Sequence, residues 1–177
     1  MLTLDSCPKN RDKFVRLIAF FKQFLDVCND LNITPILDGS LAVFAYTGNR
    51  EMSVNDIDLS CPESEFPRFM EALEREGINY KLREWHVLQV LRDDLKIDLG
   101  SAEYWLQDLP IEYETLHIDE GYRIKMLDLA SLKAFYKQAM DDRAADPDER
   151  MKYEALKKKY ELLDSMARMT HLGAHRR

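Results

Sequence analysis

Apolar positions recur at helical spacing near the start of the chain, after Asn10 or Asp12, either of which can cap a helix. The stripe predicts a helix and comprises Phe14, Leu17, Ile18, Phe21, Leu25 and Cys28. A short apolar run then predicts a buried strand over 34–38. A helix that ends at Gly48, a strand over 54–60 and a helix over 62–76 follow in that order.

The second half of the chain begins with alternating segments that are typical of strands. They lie at 79–83, 84–91 and 95–99, and the last two form a hairpin around the Arg92-Asp93-Asp94 turn. Residues 111–118 and 122–126 predict a second hairpin. Asp128 can cap a helix to about Gln138, and Asp146-Pro147 begins a long charged helix to about Met169.

This mixed order predicts an α+β fold in which helices flank a small mixed β-sheet. We expect a main domain over 1–126 and a helical C-terminal segment over 127–177. Hydrophobic residues make up 46% of the 177-residue chain, which is enough for a sizeable core.

Composition narrows the classes of function. No apolar run approaches the roughly 18–20 residues of a membrane span, and the start of the chain lacks the apolar core of a secretory signal. Three scattered cysteines favour a reducing cytoplasm. A net charge of −7 argues against long nucleic acid as a stable partner. The C-terminal basic cluster is either a solvated helix face or a phosphate-facing patch such as RNA would require. It contains Lys157, Lys158, Lys159, Arg168, Arg176 and Arg177.

Three aspartates carry the candidate chemistry. Asp56 and Asp58 share one face of the strand 54–60, while Ile57 and Leu59 face the core. Asp98 shares a face of the strand 95–99 with Lys96. If the two strands are neighbours, three carboxylates converge, and they then require a cation between them. Such oxygen ligands suit Mg²⁺, and two ions would form a site for phosphoryl transfer.

Gly39 and Ser40 supply a complementary phosphate site at a strand-to-helix turn. Glycine lets backbone amides approach a phosphate, the following helix contributes its positive N-terminus, and the Ser40 hydroxyl can donate a hydrogen bond. Neither motif is specific alone, since Asp146 and Asp148 repeat the Asp-x-Asp spacing at a helix start. The order of the motifs along the chain carries the weight.

That order, LDGS then NDIDL then KIDLG, resembles the nucleotidyltransferase superfamily of the DNA polymerase β type. The segment DGSLAVFAYTGNREMSVNDIDL looks most like the small-molecule branch, which includes aminoglycoside and lincosamide nucleotidyltransferases and abortive-infection relatives. The match covers about residues 30–100, and a looser one follows at 127–149. One departure is Asp38, which stands where the family has an apolar residue.

The resemblance implies roles for single residues. Asp56 and Asp58 would hold two Mg²⁺ ions, and Asp98 would bind the catalytic ion and assist deprotonation of the acceptor hydroxyl. Gly39 and Ser40 would hold the phosphates of an NTP co-substrate, and pyrophosphate would be released. Two further candidates for the NTP each have an alternative as surface residues, Arg50 in a loop and Lys133 on a helix.

Several alternatives stay open at this level. The acceptor is a small molecule, a protein side chain or an RNA end. A catalytically inactive, antitoxin-like binding module would keep the fold without the reaction. A coincidental motif would leave Asp98 paired with Lys96 and far from Asp56. Tyr104 and Trp105 line an acceptor or base pocket, or else belong to the core. Aromatic residues on the C-terminal helices cover the sheet or form a homo-oligomer seam.

Overall fold

The computed structural model describes residues 2–174 of the chain, with side chains up to residue 169. Two elements in it were not predicted from the sequence, the short first strand and the fourth helix. The strands are β1 (Leu2–Thr3), β2 (Ile36–Asp38), β3 (Ile57–Cys61), β4 (Asn79–Arg83), β5 (Val87–Arg92), β6 (Leu95–Ser101), β7 (Tyr113–His117) and β8 (Arg123–Leu127). The helices are α1 (Arg11–Leu31), α2 (Gly39–Thr47), α3 (Phe66–Arg75), α4 (Ala102–Trp105), α5 (Leu129–Asp141) and α6 (Arg150–Ala174).

All eight strands join one mixed sheet in the order β1-β7-β8-β2-β3-β6-β5-β4. The central strand β3 runs antiparallel to β2 and parallel to β6, and β2 runs parallel to β8. Both predicted hairpins form, as β5–β6 and β7–β8. The predicted α+β class with a small mixed sheet flanked by helices is confirmed.

The core follows the predicted periodicities. On the sheet, Ile57, Ile97 and Leu99 have no exposed surface, and the aspartates between them point to the other face. Helix α1 covers the apolar face with its predicted stripe, in which Phe14, Leu17, Phe21, Leu25 and Cys28 are buried. Burial of this kind contributes about 1.5–3 kcal/mol for each large apolar side chain.

Asn10 occupies the N-cap position of α1, but its side chain makes no capping hydrogen bond. The predicted helix start at Asn10 is confirmed, although the side chain of Asn10 does not cap the helix. Its amide instead donates to the carbonyl oxygen of Val54 at 2.8 Å and accepts from the Val54 N–H at 3.1 Å. Val54 is fully buried, so Asn10 satisfies two backbone groups that water does not reach. The sequence pattern extended a strand over 54–60, whereas β3 begins only at Ile57. Asn10 thus clamps the segment that leads into β3 by its hydrogen bonds to Val54.

The C-terminal helices pack on the sheet rather than extend from it. Asp128 caps α5 as predicted, accepting from the Ser131 N–H at 2.7 Å. Tyr136 on α5 and Leu163 on α6 belong to the same apolar cluster as the sheet residues. The predicted division after residue 126 lies one residue before the end of β8, and its status as a domain boundary stays a prediction. Arg176 and Arg177 of the basic cluster lie outside the described residues.

Membrane-spanning segments are not found among the described helices, since none is both long and apolar enough to cross a bilayer.

Candidate active site

The three predicted aspartates meet on one face of the sheet. Asp58 on β3 and Asp98 on β6 are direct partners in the parallel register, and Asp56 immediately precedes β3. One carboxylate oxygen from each residue lies within 4.8 Å of the other two. The sheet therefore brings together the residues that the coincidental-motif alternative would keep apart, and that alternative is wrong.

Neighbouring polar side chains hold the outer two aspartates. Gln89 on β5 donates to Asp98 Oδ1 at 2.9 Å, and the Arg83 guanidinium on β4 donates to Gln89 Oε1 at 2.6 Å. At the other end, the Asn10 clamp on Val54 fixes the chain two residues before Asp56. Asp98 is therefore oriented through the sheet, and Asp56 through the loop that leads into β3.

Lys96 lies between two of the carboxylates. Its ammonium is 2.7 Å from Asp98 Oδ2 and 3.1 Å from Asp56 Oδ2. Burial opposes the charge of this ammonium, but its hydrogen bonds and charge interactions with Asp98 and Asp56 outweigh burial and raise the pKa of Lys96. A protonated lysine thus compensates part of the negative charge.

Asp58 is the carboxyl group whose negative charge its surroundings stabilise least. Burial raises the pKa of Asp58 well above its ordinary range, and the carboxylates of Asp56, Asp38 and Asp98 raise it further, while Lys159 opposes them. Two lysines therefore do not compensate this group of carboxylates in full. Hard oxygen donors with uncompensated charge are the ligands that Mg²⁺ prefers, so the donor set fits the predicted ion.

Gly39 packs directly against this group. A Cβ atom at this position would lie 2.0 Å from Asp58 Oδ2 and 2.5 Å from the Asp58 Cβ. Its φ of +65° also falls in the left-handed region that favours glycine. The requirement for glycine therefore comes from the placement of Asp58 as well as from the helix start at α2.

Ser40 contacts a cation that the sequence pattern did not assign to the site. Lys159 on α6 donates to Ser40 Oγ at 2.7 Å, and its ammonium lies 5.8 Å from the centre of the buried Tyr136 ring. Its neighbours Lys157 and Lys158 are exposed, as expected if the basic cluster is a solvated helix face. Lys159 of the same cluster faces the predicted phosphate site, as expected if the cluster is a phosphate-facing patch.

Asp38 is the second residue that sequence reasoning missed, although its departure from the family pattern was visible. Its side chain is buried and accepts from Ser60 Oγ at 2.7 Å. Burial raises the pKa of Asp38 to about 6, against the effect of the Ser60 hydrogen bond. Because Asp38 is the register partner of Asp58, it adds a fourth carboxyl group to the same region.

The other two predicted NTP-binding residues lie elsewhere. Arg50 is exposed in the turn after α2. Lys133 on α5 pairs with Asp164 on α6 at 2.7 Å and contacts the Tyr160 ring, so it joins the two helices. Neither lines the cleft described below, and their assignment to the NTP stays a prediction without a contact in this structure.

A cleft of about 1080 Å³ opens above the aspartates. Gly39, Asp58 and Lys159 line one part, and α5 and α6 form a further wall. Tyr104 and Trp105, which the sequence left between core and pocket, line the part beside β6. A volume of this size accommodates a nucleotide together with a small acceptor.

A family model for aminoglycoside-2''-adenylyltransferase matches residues 21–156, which is most of the chain and includes the three aspartates and the Gly39–Ser40 turn. The chain belongs to the aminoglycoside-2''-adenylyltransferase family. It is accordingly a nucleotidyltransferase, and the predicted superfamily and enzyme class are confirmed. No curated protein matches the chain.

Solved structures with the same fold accompany the family match. ANT(2'')-Ia in complex with adenylyl-2''-tobramycin is 14% identical, with a TM-score of 0.57 over 86% of this chain and 98% of that one. Lincomycin-bound LnuA, a lincosamide antibiotic adenylyltransferase, is 14% identical, with a TM-score of 0.53 over 82% and 95%. An antigenic nucleotidyltransferase-like protein from Paracoccidioides brasiliensis is 15% identical, with a TM-score of 0.58 over 89% and 78%. At these identities the similarity establishes the fold.

Proposed function

We propose that the protein transfers a nucleoside monophosphate from an NTP to a hydroxyl group of a small molecule and releases pyrophosphate, with Mg²⁺ as cofactor. The observation that carries the proposal is the convergence of the three aspartates, of which Asp58 and Asp98 line one cleft together with Gly39. Carboxylates for cations and a helix start for phosphates are the two parts that phosphoryl transfer requires.

The carboxylates are the proposed metal ligands. Asp56 and Asp58 would hold two Mg²⁺ ions, and Asp98 would bind one of them. When bound, Mg²⁺ supplies charge neutralisation for the phosphates and makes the acceptor hydroxyl more acidic. Lys96, which now contacts Asp56 and Asp98, would compete with a bound divalent ion for these two carboxylates.

The phosphates of the NTP are assigned to the other side of the aspartates. The N-terminus of α2 offers the backbone N–H groups at its first turn, and the Ser40 hydroxyl and the Lys159 ammonium already meet there. Lys159 is a point charge that can leave Ser40 for a phosphate oxygen without crossing the cleft.

Asp98 is the proposed acceptor of the hydroxyl proton. The acceptor oxygen forms a bond to the α-phosphorus, the bond to the pyrophosphate oxygen breaks, and the proton moves to Asp98. Gln89 donates to Oδ1 of Asp98 and holds the carboxylate in orientation, as a base that acts at one fixed position requires.

Calorimetric titration of ATP, GTP, CTP and UTP with and without Mg²⁺ tests the binding step. The Asp56→Ala/Asp58→Ala double variant should lose Mg²⁺-dependent binding. The chain offers a matched control in its second Asp-x-Asp pair, so the Asp146→Ala/Asp148→Ala variant should keep it.

If the wild-type protein binds no NTP in the presence of Mg²⁺, the catalytic roles proposed for the three aspartates are refuted. The protein is then better described as a catalytically inactive binding module. Release of pyrophosphate from the NTP that binds, in the presence of a hydroxylated acceptor, tests the transfer itself. Loss of that release in an Asp98→Asn variant that still binds NTP would support the role of Asp98 in chemistry rather than in binding.

A further inference from the structure

The side of the cleft that faces the acceptor follows from the proposed reaction. In phosphoryl transfer the attacking and leaving oxygens lie roughly in line on opposite sides of the phosphorus. If pyrophosphate leaves toward Gly39, Ser40 and Lys159, the acceptor must approach from the side of Asp98. The lining residues on that side come from β4, β5, α4 and the segments that flank them. We call this surface the acceptor wall, and it comprises Arg83, Trp85, Gln89, Tyr104, Trp105 and Gln107.

Aromatic rings make up much of the acceptor wall. Tyr104 and Trp105 meet edge to face with their centroids 5.1 Å apart, and His86 stacks on Tyr104 at 4.7 Å. Trp85 is 65% exposed, although burial of such a ring is strongly favourable. The indole Nε1 of Trp105 is buried without a hydrogen-bond partner among the described residues. The exposed parts of these rings offer flat apolar surfaces to the cleft.

The charge on the acceptor wall is positive. Arg83 is its single ionised residue, since none of the other five carries a carboxylate or an ammonium. The guanidinium donates its Nε–H to Gln89. Within the described residues no acceptor is found for its terminal nitrogens. Two such parallel N–H groups bind carboxylate or phosphate in a bidentate manner.

Elsewhere in the cleft, few carboxylates are available to a cationic acceptor. Glu149 is already paired with Lys152 at 2.7 Å and with Arg143 at 3.4 Å. Asp38 is buried and bonded to Ser60. If Asp58 and Asp98 bind metal, Asp142 is the remaining carboxylate of the cleft lining that could pair with an ammonium group. A polycation carries several ammonium groups, each of which needs a partner when it leaves water.

We propose that the acceptor is a hydroxylated ring compound with an apolar face and an oxyanion substituent, carboxylate or phosphate, and not a polycationic aminoglycoside. The proposal rests on the nucleotidyltransferase function above and narrows its substrate class. The ring lies against Trp85 and Trp105, and the oxyanion lies on Arg83, so that a ring hydroxyl is presented to Asp98.

The chain itself supplies the reporter for a test, because its two tryptophans are Trp85 and Trp105, and both lie in the acceptor wall. Tryptophan fluorescence would be titrated with four phenyl glycosides that share the ring and differ in charge. They are phenyl β-glucuronide, phenyl β-glucoside 6-phosphate, phenyl β-glucoside and phenyl β-glucosaminide, with tobramycin as the polycation. The Arg83→Gln variant and an Arg75→Gln control, on the exposed end of α3, would be measured in parallel.

We expect one of the two anionic glycosides to bind at least tenfold more tightly than the neutral or the aminated one. Which of the two binds better identifies the oxyanion. Arg83→Gln should remove that preference, and Arg75→Gln should retain it. The proposal is overturned if tobramycin or the glucosaminide binds best, if Arg83→Gln leaves the preference intact, or if no glycoside changes the fluorescence.

Titration of the NTP with Mg²⁺ is measured on the wild-type protein and on Arg75→Gln, and it separates the two proposals. Arg83→Gln is left out of this comparison, because Arg83 donates to Gln89 and Gln89 holds Asp98. Loss of NTP binding in the wild-type protein would refute the nucleotidyltransferase function, whatever the glycosides do. Normal NTP binding with a preference for the polycation would refute only the acceptor class.

Discussion

Replacing Gly39 by alanine tests the close packing between the phosphate turn and the aspartates. The new Cβ would lie 2.0 Å from Asp58 Oδ2 and 2.5 Å from the Asp58 Cβ, so it meets the base of the side chain as well as its flexible end. Relief therefore requires β3 or the start of α2 to move. Either movement displaces a proposed metal ligand relative to the proposed phosphate site.

The magnitude follows from two separate costs. An alanine with φ near +65° costs about 1–2 kcal/mol because of its left-handed backbone. Overlap in a packed region adds about 1–3 kcal/mol. Gly77→Ala isolates the first cost, since Gly77 also has a φ of +65° and a Cβ there would meet nothing within 4 Å. We expect a loss of roughly 2–5 kcal/mol for Gly39→Ala and about 1–2 kcal/mol for Gly77→Ala.

Denaturant unfolding gives both free energies, and calorimetry gives NTP binding in the presence of Mg²⁺. Gly77→Ala should bind NTP normally, because the residue lies beyond α3 and away from the cleft. Gly39→Ala should bind it at least tenfold more weakly even under conditions in which the variant is fully folded. Equal destabilisation of the two variants, together with normal NTP binding by Gly39→Ala, would refute this account of the turn.

Three further predictions concern other contacts. Lys96→Met should bind Mn²⁺ about tenfold more tightly by calorimetry, because the variant lacks an ammonium group that competes with the ion for the carboxylates. Tenfold corresponds to about 1.4 kcal/mol, which lies between the Coulomb energies of such a pair in water and in a protein interior. The control Lys125→Met, at an exposed strand position, should bind Mn²⁺ as the wild type does. Asn10→Ala should lose about 1–3 kcal/mol in denaturant unfolding, because two buried backbone groups of Val54 lose their partner; unchanged stability would contradict the clamp. A thiol reagent should label only Cys7 in the native protein, and all three cysteines after unfolding. Cys28 and Cys61 are buried, and burial raises the pKa of both thiols, to about 12 for Cys61.

Local periodicity was sufficient to predict the floor of the cleft. Alternation along β3 and β6 places Asp58 and Asp98 opposite the buried Ile57 and Ile97, and a register shift of one residue would bury the carboxylates. The sequence therefore determines which face carries the aspartates. That β3 and β6 are neighbours was a hypothesis, which the structure confirms.

The residues that periodicity did not reveal come from distant parts of the chain. Lys159 reaches Ser40 across 119 positions, and the helical pattern around it shows only a charged face. The family resemblance made Lys133 a candidate, but the packing of α5 against α6 directs it to Asp164. The orientation of a helix on a sheet depends on tertiary packing, which a pattern of 3.6 residues does not encode.

Different parts of the fold position the two ends of the site, which are the carboxylates and the proposed phosphate site. The carboxylates are held by the sheet and by Asn10, so their positions depend on strand register. The Ser40–Lys159 contact instead joins α2 to the C-terminal helix α6, so the proposed phosphate site is complete only when α6 is docked. Tyr136 lies beneath Lys159 in the shared core, which couples that docking to the fold as a whole. The helical segment after β8 is therefore best understood as one wall of the proposed NTP site.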